Sequence, residues 1–204
     1  MKVNQFDLIA SVYDQLAGLV FGKSLYKAQT CFLDQLPDNG RVLIVGGGTG
    51  QILKEAVFSR AAQIDFVELS EKMITKARQN GSHLSQINFL NEDFFQHHGE
   101  YDFVIANFFL DCFDGEHLTL VVQRLKGLLS TKGKILVTDF QNPSRTSHRI
   151  LIFLMIAFFK TFSSLQASRL EDIQGEMVKR FSTIMEKSFK QGLLFSALYA
   201  ATEQ

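Results

Sequence analysis

The chain has 204 residues, 46% of them apolar, and its 21 basic side chains balance 21 acidic ones. That length carries one substantial core and is short for two, and a zero net charge supplies no general attraction to nucleic acid. Two cysteines in apolar surroundings, Cys31 and Cys112, read as buried free thiols, and no Cys or His spacing fits a metal site.

In the opening segment, Asp7 and Asp14 interrupt the apolar residues, so a signal-peptide layout is missing and a cytoplasmic protein is expected. Phe6, Ile9, Tyr13, Leu16 and Val20 recur at helical spacing, as do Leu25, Ala28, Phe32 and Leu36. "LPDNG" then breaks the chain. After it, Val42–Val45 reads as a short aliphatic strand and Gln51–Ser59 as a helix. "QIDFVEL" is a second strand, followed by a helix that Ser70 caps and Gly81 ends. "INFL" is a third strand, after which His97 and His98 read as a solvated loop pair. "YDFVIA" is a fourth, then comes a helix over Glu116–Leu129, and "KGKILVTDF" is a fifth. Continuous apolar strands alternating with helices predict a parallel sheet covered on both faces.

The last quarter departs from that alternation. Ile150–Phe159 is an unbroken apolar run of ten residues, half of the about 20 that a membrane span needs. It predicts no transmembrane segment but a buried helix, a homodimer face or the wall of an apolar ligand site. After a polar stretch, "LEDIQGEMVKR", the runs "FSTIMEKSF" and "LLFSALYAAT" flank "KQG" and predict an antiparallel hairpin at a sheet edge. The expected organisation is a single α/β domain. Residues 1–40 form a helical extension, 41–140 a ligand-binding core, and 141–204 the apolar helix and hairpin.

The stretch "VGGGTG" places Gly46, Gly47, Gly48, Thr49 and Gly50 just beyond the first strand, where open parallel sheets bind ligands. Glycine there lets a ligand approach the backbone without meeting a Cβ. The dinucleotide spacing G-x-G-x-x-G would need a third glycine where Gln51 stands, which opposes nicotinamide chemistry. Glu68, at the end of the second strand, is placed to accept both hydroxyls of a ribose. Asp93, at the end of the third, is placed to accept from an adenine amino group, with Phe94 beside the ring. These three strand ends together predict an adenosine-containing ligand.

The segments "VLIVGGGTG", "VELSEKMI", "NFLNEDFF", "YDFVIANFFLDCF" and "LLSTKGKILVTDF" resemble the successive motifs of class I S-adenosylmethionine (SAM)-dependent methyltransferases. The opening "FDLIASVYDQLAG" is similar to the start of the methyltransferases of ubiquinone and menaquinone biosynthesis. The resemblance implies a Rossmann-like seven-stranded sheet of order 3-2-1-4-5-7-6 with strand 7 antiparallel. It implies SAM as cofactor, with Gly46, Gly48 and Gly50 along its methionine and ribose portion and Glu68 on the ribose. Leu69 and Phe94 would then pack near adenine, Asp93 near its amino group, and Asn107 near the methionine moiety. Tyr13 would close over the site as part of a lid. The family usually carries an acid two residues before the first glycine, where this chain has Ile44. "GGGTG" is also similar to a motif of aminopropyltransferases that use decarboxylated SAM, but Thr49 and Asn107 stand where those enzymes carry acids.

Methyl transfer is an in-line displacement, and the protein mainly aligns the reactants and excludes water. A base is needed only where the acceptor must lose a proton. Asp111 is the first candidate, ahead of His117 and His148. Asn107 is followed by Phe108-Phe109-Leu110 and not by the prolines of amino-methylating enzymes on nucleic acids, which argues against a nucleic-acid partner. The apolar N-terminal helices and Ile150–Phe159 predict a small, hydrophobic acceptor. The other reading is a domain that binds SAM or its product without catalysis.

Overall fold

A computed structural model describes residues 21–142 and 170–202. Tyr13, His148 and the Ile150–Phe159 run lie outside the described residues. The predicted strands form one sheet of seven: β1 (Arg41–Val45), β2 (Gln63–Val67), β3 (Ile87–Leu90), β4 (Tyr101–Asn107), β5 (Leu129–Phe140), β6 (Phe181–Phe189) and β7 (Leu194–Ala201). Their order is β3-β2-β1-β4-β5-β7-β6. The first five run parallel, and β7 lies antiparallel to both β5 and β6. The β6–β7 turn is tight because Lys190, Gln191 and Gly192 all take positive φ.

Successive side chains of a strand face opposite sides, so each central strand is buried twice. Val42, Ile44, Phe103, Ile105, Leu136 and Leu198 build one core layer. Over it pack the turn Leu33–Gln35 and Ile74 and Ala77 of α2 (Glu71–Asn80). A short helix, α1 (Ser24–Thr30), precedes that turn. Leu43, Val45, Val104, Ala106, Ile135 and Val137 build the other layer. It is covered by Leu118, Val121, Val122 and Leu125 of α3 (Gly115–Gly127), and by Ile173 and Met177 of α4 (Ile173–Val178).

Four local expectations need correction. Gln51–Ser59 is not one helix but two 3-10 turns, Gln51–Lys54 and Ala56–Arg60, separated by an extended Glu55. Leu53 and Phe58 are both fully buried, and five residues apart on an α-helix they would point in different directions. Breaking the helix lets both reach the sheet. The stretch read as merely polar contains α4, whose Asp172 caps it by accepting from the Gly175 amide. His97 is buried, 5% exposed, although its neighbour His98 is exposed as expected. Both cysteines are free thiols, but half-buried. Among the described residues no helix is long and apolar enough to cross a membrane.

Candidate functional site

The C-terminal ends of β1, β2, β4 and β5 converge on the glycine loop. Gly46 and Gly48 sit at φ of 56° and 58°, a region that costs L side chains strain. A Cβ at Gly46 would stand 2.4 Å from the Phe109 ring, whereas one at Gly48 would meet only the Met73 sulfur at 3.8 Å. The loop is therefore packed on one side and open at Gly48. Gly47 backs onto the Phe66 ring, and the buried Thr49 offers its carbonyl to the Asn80 amide at 2.8 Å. Gly50, also at positive φ, opens the first 3-10 turn.

Glu68 is fixed by that loop. One carboxylate oxygen accepts the Gly48 N–H at 2.9 Å and the other accepts the Ser70 N–H at 2.8 Å. Two backbone amides thus set the position of this carboxylate. Leu69 stands exposed beside it, on a turn that Asn91 holds by donating to the Glu68 and Leu69 carbonyls at 2.9 and 3.0 Å. Asn91 lies between two quoted motif residues and is legible only through this contact. Asp93 is exposed and caps the turn Phe94–Gln96 by accepting the Phe95 N–H at 2.9 Å. Phe94 is buried, edge-on to Phe109 with centroids 5.3 Å apart, so its ring belongs to the core beneath the site.

Asn107 ends β4 in an unusual state. Both polar atoms of its side chain are buried and have no hydrogen-bond partner among the described residues. Buried amides are nearly always bonded, and leaving one unmade costs about 1–3 kcal/mol. A ligand that supplies a donor and an acceptor there satisfies the group.

Asp111 sits in the turn Leu110–Cys112 after β4, half-buried. That turn is held by a residue the sequence reading left unassigned. Asp139, fully buried near the end of β5, accepts the Leu110 and Asp111 N–H groups at 3.1 and 3.2 Å and the Phe140 N–H at 2.8 Å. Its only sequence signal is a carboxylate in an otherwise apolar strand, "KILVTDF". Burial pushes Asp111 up to about 6, against the opposing pull of the Cys112 thiol and its own backbone. Burial and then the Asp111 charge push Asp139 well above the carboxylate range. The Phe140, Asp111 and Leu110 N–H groups oppose that rise by favouring charge on Asp139, without cancelling it. The Cys112 thiol is pushed up by burial, then by Asp111, Asp139 and Glu68. Asp111, Asp139 and Glu68, at or just beyond the ends of β4, β5 and β2, thus all act on the Cys112 thiol. His117 is exposed on the first turn of α3, 3.7 Å from Asp114, and offers no geometry for catalysis here.

Ile44 is 1% exposed within the apolar layer, so the acid usual at that position is replaced by core packing. A cleft of about 280 Å³ lies off this loop, between the end of β5 and α4, lined by Phe140, Gln141, Glu171, Asp172 and their neighbours.

Residues 43–135 match the family model described as a methyltransferase domain. Among curated proteins no relative matches the sequence. Solved structures do match in fold. The N-methyltransferase NodS from Bradyrhizobium japonicum WM9, in complex with S-adenosyl-L-homocysteine (SAH), superposes with a TM-score of 0.64 at 10% identity, over 88% of this chain and 84% of its own. The 1,6-didemethyltoxoflavin-N1-methyltransferase of Burkholderia thailandensis, with its substrate and S-adenosylhomocysteine bound, gives 0.71 at 15% identity, over 98% and 87%. The DhpI–SAH complex gives 0.68 at 15% identity, over 98% and 96%. The strand order, the glycine loop at its switch point and the match over residues 43–135 agree: this chain has the fold of the class I SAM-dependent methyltransferases and resembles that family in its successive motifs.

Proposed function

We propose that the protein transfers the methyl group of SAM to a small, largely apolar acceptor. The observation that carries the reading is the open Gly48 backbone tied to Glu68 just beyond β2, together with the Asn107 amide at the end of β4, buried without a partner among the described residues. Two further features support SAM in particular. Glu68 suits a ribose diol, and Asp93 stands at the turn an adenine amino group would reach.

When bound, SAM supplies a methyl group already activated on a sulfonium. The chain's residues bind and orient: Gly46–Gly50 present backbone, Glu68 fixes the sugar, and Asn107 takes up the polar methionine end. Phe140 packs at a tilt against Phe21 and against Phe108, which follows Asn107, with centroids 5.5 and 5.3 Å away. They join Leu25, Leu193 and Leu194 in an apolar cluster that excludes water and suits a hydrophobic acceptor. Asp111, once ionised, is the group placed to receive a proton from an acceptor hydroxyl or amine.

Calorimetric titration with SAM and SAH tests the cofactor reading. Wild type is expected to bind with a dissociation constant of about 1 μM, near −8 kcal/mol. Glu68→Ala is expected to weaken this at least about ten-fold, through loss of a charged hydrogen-bond acceptor. A folded wild type that binds neither compound would reduce the proposal to a shared fold.

A further inference from the structure

The chain leaves β4 through a strained residue. Phe108 sits at φ of 52°. The other described residues besides glycine with positive φ, Asn39, Lys190 and Gln191, are polar and exposed. Phe108 is a half-buried aromatic, and for a bulky side chain the left-handed region is a genuine outlier because its Cβ crowds the following carbonyl. Such a conformation persists only where the surroundings over-determine it.

The end of β5 supplies the determinants on both sides. The Phe108 N–H donates to the Thr138 carbonyl at 2.7 Å, one step beyond the Asn107–Thr138 pair of the β4–β5 ladder. Past the strained residue, one oxygen of Asp139 accepts the Leu110 and Asp111 N–H groups at 3.1 and 3.2 Å. Its other oxygen accepts the Phe140 N–H at 2.8 Å. Thr138 and Asp139 thus grip the chain at Phe108 and again at Leu110 and Asp111, so the change of direction falls between the two grips. Accepting these bonds requires no particular charge on Asp139, since a carboxylate and a carboxylic acid both present two oxygens with lone pairs.

The turn sends adjacent rings to different places. Phe108 joins the apolar cluster of Phe21 and Phe140, its centroid 5.3 Å from that of Phe140. Phe109 instead lies under Gly46, where it fills the space a Cβ would need, and packs edge-on to Phe94 and Phe113. Immediately before both stands Asn107, whose buried amide has no partner among the described residues.

We propose that Asp139 is a positioning residue of the site: it pins the turn Leu110–Cys112 to the end of β5, holds Phe108 in its left-handed conformation, and so fixes the Asn107 amide and the Phe109 ring beneath the glycine loop. The consequence for the cofactor rests on the SAM reading above; the pin itself does not. An acid that merely satisfied buried N–H groups would add stability without deciding the conformation at position 108.

The test compares Phe108→Gly with Phe108→Ala on the full chain by urea denaturation. Both lose the ring, so their difference isolates the backbone. With Asp139 in place, the glycine variant should be the more stable by about five-fold in the folding equilibrium, because only glycine takes positive φ without strain. In Asp139→Ala the Leu110 and Asp111 N–H groups lose their acceptor and position 108 returns to negative φ. The order should then invert, with alanine ahead by about three-fold through the smaller entropy of its unfolded chain. Asp139→Asn keeps one accepting oxygen where there were two, so the glycine advantage should shrink without inverting. That pair carries the comparison if the Asp139→Ala chains do not fold. A glycine advantage that is absent with Asp139 in place, or equal in every background that folds, overturns the pin.

Calorimetric titration with SAH reads the link to the cofactor in chains that retain Phe108. The dissociation constant should rise about ten-fold in Asp139→Ala, the worth of one strong hydrogen bond, and by less in Asp139→Asn. Affinity equal to that of wild type in the variants overturns the link. Absence of SAH binding by wild type as well removes the cofactor reading alone, and the urea comparison still decides the pin.

Discussion

At the scale of single residues, the site is built from polar groups placed where they are costly. Asp111 and Asp139 are the clearest case, because backbone N–H groups hold Asp139 against the turn that carries Asp111. The folded-state value of Asp111, about 6, lies above that of an unfolded aspartate. An acid shifted this way binds more protons folded than unfolded between those values, so it lowers stability as pH rises through them. The contribution is favourable below the unfolded value and gone above about 6. Asp111→Asn removes the titrating group and relieves Asp139 of its neighbour's charge. Urea denaturation at about pH 4.5 and 7.5 should show the variant gaining stability on wild type at the higher pH. Parallel behaviour at both would mean that the two carboxylates do not share a proton.

At the scale of elements, the turns around the site are tied by side chains, from the turn itself at Ser70 and Asp93 and from a neighbouring strand end at Asn91 and Asp139. Ser70 caps α2 by accepting the Met73 N–H at 3.2 Å, while its own N–H binds Glu68. Ser70→Ala removes the first bond and leaves the second, so it isolates the cap. The expected loss is about 1 kcal/mol, read as a lower urea midpoint at unchanged slope. No change in midpoint would show that the Glu68 tether alone fixes the start of α2. The cap, the strand alternation and the terminal hairpin were legible because each rests on local chemistry: a hydroxyl before a periodic run, β-branched residues between breaks, a glycine-containing turn. The break at Glu55 was not, since only the sheet beneath decides that Leu53 and Phe58 must face the same way. His97 was misread for the same reason. Its partner Tyr101 lies on β4 and donates in turn to Asp65 of β2, and adjacency to His98 carries no information about either. Asp139 was visible as an acid in an apolar strand, but its role needs the β4 turn that only the fold brings to it.

At the scale of the molecule, a sheet whose central strands are buried on both faces leaves one buried side-chain amide, Asn107, without a partner among the described residues. Asn107 belongs to β4, the central strand between β1 and β5, so its amide cannot reach water by a small shift of an edge. The unpaired amide is a penalty on the fold, the proposed function has SAM remove it, and the two effects can be separated by one substitution. Asn107→Leu replaces the amide by an apolar group of similar shape, which should stabilise the ligand-free protein by about 1 kcal/mol. In wild type, SAH at a hundred times its dissociation constant should add about 2.7 kcal/mol, or roughly 5–11 °C in melting temperature for a chain of this size. In the variant that ligand-induced rise should shrink to a few degrees, about what a ten-fold weaker complex retains, although its starting temperature is higher. A variant destabilised without ligand would show instead that Asn107 supports the fold itself. An unchanged rise with SAH would place the methionine end elsewhere along the glycine loop. Only the opposed pair of changes, a firmer empty protein and a weaker complex, marks a buried amide held in readiness for a ligand.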